Sequence, residues 1–419
     1  MRLLLDIAAF GLGFTNPAGR CGIYRCIEEF LLHRAGLEVS ELALTALRDP
    51  AMTLLTEAEI ERTHPELLNT WLPAWKPVTA QSRELARMAL MAGRLSRSDP
   101  QRWLAAAAWR LGQHTARQTI IPGSWDIFHS FSDALPDAAR VTATTRILTV
   151  HDLTPLTMPE LHLSTTRKVF AEAVGSLLAS DGWAVCDSEA TRQDLLRMTA
   201  MPAARTRVIL LAADPRFAPA SAEAVRRTRA RYCIGDQPYF LCLSSVEPRK
   251  NVRGMFRAFA RFHQQLAQAG DSDLPTLVVA GPTGWMAGAV ERELACAKVP
   301  VVRTGFIADE DLPALYSGCR AFTYLSFAEG FGLPPLEAMS CGAAVLTSNT
   351  TSLPEVVGDG GLMVDPLDED AIVAALHRLH HDDQLVDELR LRAVARARTF
   401  SWDRFAAEHR DLYRELGHG

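Results

Sequence analysis

Two glutamates beside a glycine-rich turn are the residues of this chain best suited to polar chemistry. A buried strand ends at Ser326, Glu329 stands in the turn that follows, and Pro334 allows a helix to begin just before Glu337. In a parallel α/β sheet the ligand lies beyond the carboxyl ends of the strands, so both carboxylates can point at one ligand. The glycines of the Gly330–Gly332 turn let backbone N–H groups approach that ligand closely. The pattern predicts a site for a molecule rich in hydroxyl groups.

Two adjacent cations form a second chemical feature. Arg249 and Lys250 follow an apolar run, and a helix is expected to begin at about Asn251. A helix N-terminus attracts anions, the arginine adds a bidentate fork and the lysine a compact charge, so the pair is suited to clamp a diphosphate. The plainer interpretations are two solvated charges in a loop and, for Glu329 and Glu337, a favourable interaction with a helix dipole.

These segments resemble the retaining GT-B glycosyltransferases of family 4. Glu329 and Glu337 are separated by seven residues, the E-x7-E signature of that family, and the motif Glu-Pro-Arg-Lys-Asn at 247–251 is similar to its phosphate-binding motif. The resemblance is strong in the C-terminal half and extends in patches over the N-terminal half. It departs from the family at Ser244, where glycine is usual. It implies an α/β fold of the GT-B type, with two facing Rossmann-like domains and the active site in the interdomain cleft.

The same resemblance implies roles for individual residues. The two cations hold the donor pyrophosphate, Glu329 binds the sugar hydroxyls and Glu337 bonds the ribose. The backbone at Phe306 and Ile307 faces the nucleotide base, although core packing explains those two positions equally well. The donor-binding set implied in this way is Gly22, Arg249, Lys250, Phe306, Ile307, Glu329, Gly330, Phe331, Gly332, Leu333 and Glu337.

Two histidines end strands in the N-terminal half. His129 and His151 each follow an apolar run, and Asp152 comes next to His151. A lone strand-end histidine is usually structural, but two are expected to meet over the cleft. The resemblance places His151 near the donor sugar and leaves His129 and Asp152 on the acceptor side. The first loop, which leads to a helix from about Ile23 to Arg34, is similar to the loop of the family that faces the donor phosphates. The residues assigned to catalysis are His151, Arg249, Lys250 and Glu329.

Length and pattern divide the chain, since 419 residues suggest two or three domains. We expect an N-terminal, acceptor-side Rossmann-like domain over 1–214, a nucleotide-sugar-binding domain over 215–399, and a last helix over 400–419 that returns to the first domain. Residues 51–120 are predicted to be a helical insertion. Its basic segment 76–117 could lie on an anionic membrane surface, but an apolar stripe more often marks packing against the protein.

Composition excludes several classes of protein. A net charge of −5 gives no argument for a nucleic-acid partner. The eight cysteines form no CxxC pairs and are typical of buried thiols in a reducing compartment. The start of the chain does not have the pattern of a signal peptide, and no apolar run approaches the length of a membrane span. These features predict a cytoplasmic protein, with a peripheral position on the inner membrane as a further option. No metal site is visible, and no cofactor is expected.

The resulting hypothesis is a retaining transfer of a sugar from a nucleotide-diphosphate donor to a hydroxyl acceptor. Similarity to bacterial polysaccharide mannosyltransferases makes mannose from GDP-mannose the first choice. The expected acceptor is a glycan, a lipid-linked saccharide or a protein. Two alternatives stay open at this point: a GT-B epimerase or hydrolase of nucleotide sugars, and a non-catalytic sugar-nucleotide-binding subunit.

Overall fold

The computed structural model of the chain describes residues 1–15, 22–48, 50–73 and 120–417. The predicted helical insertion is described only at its start, where the chain forms a helix over Pro50–Thr63 and a 3-10 turn over Pro65–Thr70. The basic segment 76–117, for which membrane contact was considered, lies outside the described residues.

Six parallel strands form the sheet of the N-terminal domain. They are β1 (Arg2–Asp6), β2 (Glu41–Thr45), β3 (Ser124–Ser130), β4 (Thr142–Val150), β5 (Trp183–Cys186) and β6 (Thr206–Val208). Their order across the sheet is β2-β1-β3-β4-β5-β6. The chain direction across the sheet therefore reverses between β1 and β3, and a crevice opens beyond the carboxyl ends of those two strands.

A second sheet of six parallel strands forms the C-terminal domain. Its strands are β7 (Tyr239–Leu243), β8 (Thr276–Ala280), β9 (Val301–Gly305), β10 (Ala321–Tyr324), β11 (Val345–Ser348) and β12 (Gly361–Val364). The order β12-β11-β10-β7-β8-β9 is that of a Rossmann fold, with its reversal between β7 and β10.

Helices cover both faces of each sheet. In chain order they are α1 (Leu12–Thr15), α2 (Gly22–Leu32), α3 (Pro50–Thr63), α4 (Thr154–Thr157), α5 (Ser164–Ala179), α6 (Glu189–Met198), α7 (Ala222–Arg231), α8 (Val252–Ala269), α9 (Gly288–Ala295), α10 (Leu312–Ser317), α11 (Leu333–Ser340), α12 (Leu353–Val357), α13 (Glu369–His381), α14 (Asp383–Ala397) and α15 (Trp402–Gly417). Because the strands are buried on both sides, they are near-continuous apolar runs such as Phe240–Leu243.

The region after β12, which the sequence pattern predicts to be helical over 369–396, is helical in the structure. The structure has two helices there, α13 and α14. Asp382 leaves the helical conformation, with φ −106° and ψ 91°, and its carboxylate accepts a hydrogen bond from the amide of Leu385. An aspartate cap of this kind starts a new helix instead of extending the old one.

The last helix, α15, packs against the N-terminal domain. Phe405 and Tyr413 lie in contact with Phe30 of α2, with ring centroids 6.4 and 6.2 Å apart. Burying an aromatic side chain of this kind stabilises a fold by about 1.5–3 kcal/mol. At the surface, Arg207 bonds Glu415 at 2.6 Å. The helix that follows the second domain in sequence therefore belongs to the first domain in space. None of the helices described is long and apolar enough to cross a membrane.

Candidate active site

The crevice of the second sheet brings together residues from two adjacent strands. Pro248–Lys250 form a 3-10 turn after β7, and Glu329 lies in the loop after β10. β7 and β10 are neighbours in the sheet although about 80 residues separate the two loops. Asn251 ends the 3-10 turn in the left-handed conformation, with φ 50°, and its side chain accepts from the amide of Gly254 to cap α8. The cap fixes both cations at the N-terminal end of that helix.

Arg249, Lys250 and Glu329 form one buried ion cluster. The two carboxylate oxygens of Glu329 are divided between the cations: Oε2 accepts from Arg249 Nη1 and Oε1 from Lys250 Nζ, both at 2.7 Å. Lys250 Nζ also donates to the hydroxyl of Tyr324 at 2.6 Å, and Arg249 Nη2 to Glu247 at 3.2 Å. The predicted pyrophosphate clamp and the predicted sugar-binding carboxylate thus lie within hydrogen-bonding distance of each other.

Burial and charge act against each other on the pKa of each member of this cluster. Burial alone would raise the pKa of Glu329, but the charges of Arg249 and Lys250 outweigh it and lower that pKa to about 2. Burial and the neighbouring Arg249 lower the pKa of Lys250, while Glu329 opposes them. For Arg249, burial is outweighed by the Glu329 charge and the pKa is raised. Glu329 is therefore a carboxylate that holds both cations in position.

Glu337, the second glutamate of the motif, has different partners. It lies in α11 and is 4% exposed. Its carboxylate forms a close ion pair with Arg25 of α2 and accepts a hydrogen bond from the hydroxyl of Tyr316 at 3.0 Å. Burial raises the pKa of Glu337 even though Arg25 opposes this. The contact joins the two domains, because Arg25 belongs to the first and Glu337 to the second.

The glycine-rich turn has the geometry that a close approach requires. Gly332 has φ 112°, a conformation open to glycine but strained for other residues, and it caps α11. Within the described chain, the amide N–H groups of Gly330, Phe331 and Gly332 donate to no acceptor. The carbonyl of Gly330 faces the other domain and accepts from the hydroxyls of Ser188 at 2.5 Å and Thr191 at 3.1 Å.

The other donor-side positions lie at the start of α2 and after β9. A Cβ built on Gly22, at the start of α2, would lie 3.0 Å from a methyl group of Leu333, so Gly22 reaches the start of α11 from the opposite domain. Phe306 is 45% exposed after β9, whereas Ile307 is buried in the core. The ring of Phe306 is therefore accessible to a ligand, whereas the side chain of Ile307 packs in the core.

His151 lies at the carboxyl end of β4 with both ring nitrogens engaged. Nδ1 bonds the carboxylate of Asp187 and Nε2 bonds the carbonyl oxygen of Phe131, both at 2.6 Å. A carboxylate and a carbonyl oxygen both accept, so these two distances fit an imidazolium that donates from each nitrogen. Burial lowers the pKa of His151, but the Asp187 charge outweighs it and the net shift is upward. The ring is fixed in orientation, and its main-chain oxygen contacts the Gly330 turn.

The expectation that His129 would meet His151 over the cleft is wrong. His129 is fully buried, and its ring nitrogens bond Tyr413 Oη at 2.6 Å and Thr149 Oγ1 at 2.8 Å. Side chains alternate along a strand, and the face of β3 that carries His129 is covered by α15. The residue anchors the last helix to the first domain and does not line the acceptor side.

A cavity of about 380 Å³ occupies the crevice of the N-terminal sheet. It lies between α5 and the loops that follow β1, β3 and β4. Most of its wall is aliphatic or aromatic, and its polar margin includes Asp133, His151 and Asp152. Asp152 also caps α4 by accepting from the amide of Thr154 at 3.1 Å. The expected acceptor-side position of Asp152 thus coincides with the edge of a mainly apolar cavity.

Sequence analysis missed several residues that contact the predicted ones, among them Arg25, Asp187 and Tyr324. Arg25 lies in the helix that follows the first loop, and Asp187 directly precedes Ser188, which caps α6. Tyr324 lies within the apolar run of β10, where an aromatic residue is typical of core packing and gives no sign of a polar contact.

Two Rossmann-like domains, each with a six-stranded parallel sheet, form a fold of the GT-B type. The chain resembles the solved HepE of Anabaena in complex with UDP over 99% of its own length and all of that chain, with a TM-score of 0.64 and 17% identity. At that identity the likeness shows the fold.

Sequence comparison shows the family. Residues 226–400 match the family described as glycosyl transferases group 1. The chain is 35% identical over 272 residues to O-antigen chain mannosyltransferase B of Escherichia coli, which covers 64% of this chain and 70% of that protein. It is also 35% identical over 176 residues to a GDP-mannose-dependent α-(1-6)-phosphatidylinositol monomannoside mannosyltransferase of Mycolicibacterium smegmatis, covering 40% of this chain and 44% of that protein. The chain belongs to the group 1 glycosyltransferases and is a glycosyltransferase enzyme.

Proposed function

We propose that this glycosyltransferase transfers mannose from GDP-mannose to a hydroxyl group of a glycan acceptor, free or lipid-linked or on a protein, with the anomeric configuration retained. The observation that carries the proposal is the buried cluster of Arg249, Lys250 and Glu329 at the reversal point of the second sheet. The choice of mannose is supported by the names of both mannosyltransferase relatives. The choice of GDP is supported by the name of the Mycolicibacterium smegmatis enzyme, which is GDP-mannose-dependent.

The cations act on the leaving group. When the bond between C1 and the diphosphate oxygen breaks, negative charge develops on the diphosphate, and two buried cations at a helix N-terminus stabilise it without reorganising. Glu329 holds both cations before the donor arrives, through one carboxylate oxygen each. We propose that this pair takes the place of a metal ion in the transfer, so that chelation with EDTA leaves turnover unchanged.

The remaining groups orient the sugar and the acceptor. The amides of Gly330–Gly332 have no acceptor within the described chain, and they suit sugar hydroxyls or phosphate oxygens. We propose that Glu337 bonds the ribose of the donor; in this structure its oxygens bond Arg25 and Tyr316. In a same-face substitution the acceptor oxygen bonds to C1 while its proton passes to the departing phosphate. The cavity beside His151 and Asp152 lies on the acceptor side of this arrangement.

A donor panel tests the proposal directly. Purified protein is incubated with GDP-mannose, GDP-fucose, UDP-glucose or UDP-galactose, with and without a mannose-terminated oligosaccharide. We expect GDP-mannose to be consumed fastest and an α-mannoside to form, which is identified by the anomeric NMR signal. A β-mannoside would contradict retention. GDP release without an acceptor product would indicate a hydrolase, a change in the donor sugar would indicate an epimerase, and no consumption of any donor would contradict the proposal.

A further inference from the structure

A second group of polar side chains lies far from the cleft, at the outer end of the C-terminal domain. Asp271 follows the end of α8, and His380 and His381 are the last residues of α13. α8 begins beside Lys250 and has 18 residues, so its far end is about 27 Å from the donor site. This group is the set of potential metal ligands found within the described residues. No local sequence motif contains it, because Asp271 lies about a hundred residues before the two histidines.

The potential ligand atoms all lie within 4.8 Å of one another, close to the spacing that one ion requires. Asp271 Oδ2 lies 3.5 Å from His380 Nε2 and 3.9 Å from His381 Nδ1. Zinc bonds to nitrogen and oxygen are about 2.1 Å long, which places tetrahedral ligands about 3.4 Å apart. The other carboxylate oxygen, Oδ1, accepts from the amide of Asp273 at 2.9 Å and so fixes the direction of Oδ2.

The two histidines of the group differ in exposure: His380 is held by its neighbours in the core, and His381 is open to solvent. The side chain of His380 is 4% exposed, and its ring packs edge-on against Phe262 at 5.7 Å. Arg320 holds the end of α13 by donating to the carbonyls of Leu379 at 2.6 Å and His380 at 2.9 Å. His381 is 53% exposed, so an ion could enter from solvent and keep a water molecule as its fourth ligand.

We propose that Asp271, His380 and His381 bind a transition-metal ion, best suited to Zn²⁺, which joins the end of α13 to the loop after α8. Two imidazoles and one carboxylate favour zinc over magnesium or calcium, which prefer oxygen ligands. The ion stabilises the C-terminal domain and takes no part in sugar transfer, so the site does not depend on the proposed function. An ordinary histidine–aspartate ion pair would bring the same atoms together, and it would bind no metal.

Calorimetric titration of the full-length, EDTA-treated protein with ZnCl₂ tests the proposal, together with the thermal midpoint Tm in the presence and absence of Zn²⁺. We expect saturable binding of one ion, a Tm that rises with Zn²⁺ by several degrees, and the visible absorption of tetrahedral cobalt when Co²⁺ replaces it. His381→Ala and Asp271→Asn should each weaken binding at least tenfold. Turnover with a nucleotide sugar should be the same with and without Zn²⁺.

His377 provides the matched control. It lies one turn earlier on α13. Its ring stacks against that of His381 with centroids 5.9 Å apart, but its Nε2 bonds Gln265 Oε1 at 2.8 Å and is not one of the clustered ligand atoms. His377→Gln should therefore keep both the affinity for Zn²⁺ and the rise in Tm. Equal loss in the control and the cluster variants, unchanged binding in His381→Ala and Asp271→Asn, or no saturable binding at all would each overturn the proposal.

Discussion

The two domains present opposite chemistry to the cleft. In the C-terminal domain, Arg249, Lys250 and Glu329 meet as fixed charges away from water, held by hydrogen bonds of 2.7 Å. In the N-terminal domain the corresponding crevice is a mainly apolar cavity, and the ring of His151 has no nitrogen left to bond a ligand. A leaving diphosphate needs charge, whereas an acceptor hydroxyl is neutral and needs to be positioned. The contrast is therefore what we expect if the C-terminal domain binds the donor and the N-terminal domain binds the acceptor.

The two motif glutamates give the largest expected effect. Glu329→Gln leaves two buried cations without their carboxylate, which should lower the free energy of unfolding by about 3–5 kcal/mol. Glu337→Gln keeps the hydrogen bond from Tyr316 and removes only one ion pair, so we expect a loss of about 1–3 kcal/mol. Chemical denaturation at pH 7 measures both. Equal losses would show that the charge cluster is no different from the contact between Glu337 and Arg25.

The pH dependence of the Glu329 effect has a definite sign. The pKa falls from 4.5 in the unfolded chain to about 2 in the fold. Ionisation therefore stabilises the fold above pH 4.5, and this stabilisation is lost as the pH falls towards 2. The difference in stability between the wild type and Glu329→Gln should be constant near neutrality and shrink below about pH 4.5. A difference that does not change with pH would mean that Glu329 is not ionised in the cluster.

Lys250→Ala tests the charged side by turnover. If Lys250 stabilises the departing diphosphate, its removal should lower kcat by about 10²–10³-fold, the usual loss for one preorganised donor in an active site. The control is Arg257→Ala, which removes a cation from the exposed face of the same helix, α8. Turnover should be unchanged in the control. A loss of similar size in both variants, or in neither, would contradict the role of the clamp.

Gly330→Ala tests whether the two domains must fit closely. A Cβ at position 330 would overlap the carbonyl oxygen of His151, a backbone atom of the opposite domain that cannot move aside like a side chain. We expect turnover to fall about 100-fold, because a displacement of about 1 Å is enough to misplace reacting groups. Gly175→Ala, on α5 with no heavy atom within 4 Å of the new Cβ, should leave turnover unchanged. Normal turnover in Gly330→Ala would show that catalysis does not use this arrangement.

The difference between the two domains explains which parts of the candidate site could be predicted from the sequence. The donor side lies in two short strand–turn–helix segments, and the residue types at Arg249, Lys250 and Glu329 indicate their chemistry without any partner. The acceptor side depends on pairings across the fold, such as Phe131 and Asp187 with His151, which no local pattern contains. His129 was misassigned for this reason, because its partner Tyr413 lies 284 residues away.

His129→Leu tests the role of a buried histidine in the N-terminal domain. The change leaves the hydroxyls of Tyr413 and Thr149 without their partner in the core, and we expect a loss of about 1–3 kcal/mol in stability. Because His129 lies under α15 and not in the cleft, turnover per folded molecule should be unchanged. A fall in kcat without a fall in stability would instead support a role of His129 in acceptor binding.

Asp6 gives the smallest effect on turnover and the clearest one on pH dependence. It ends β1 below the cavity, where its Oδ1 accepts from the amides of Ala8 at 3.1 Å and Leu47 at 3.4 Å. Burial, with the nearby Asp133 charge, raises its pKa from 3.8 to about 8 although Arg140 opposes this. The folded chain therefore keeps a proton that the unfolded chain loses, and this part of the stability is present at pH 4 and is lost as the pH rises through 8.

Asp6→Asn removes that titration while keeping an oxygen for the two amides. The variant should gain stability over the wild type as the pH rises from 4 to 8, with no change in turnover, in denaturation curves recorded across that range. For Glu329 in the C-terminal domain, the stability difference between the wild type and Glu329→Gln changes only at acid pH. The reason is that its two cationic neighbours lower its pKa to about 2. A stability difference independent of pH would mean that Asp6 is ionised in the folded chain.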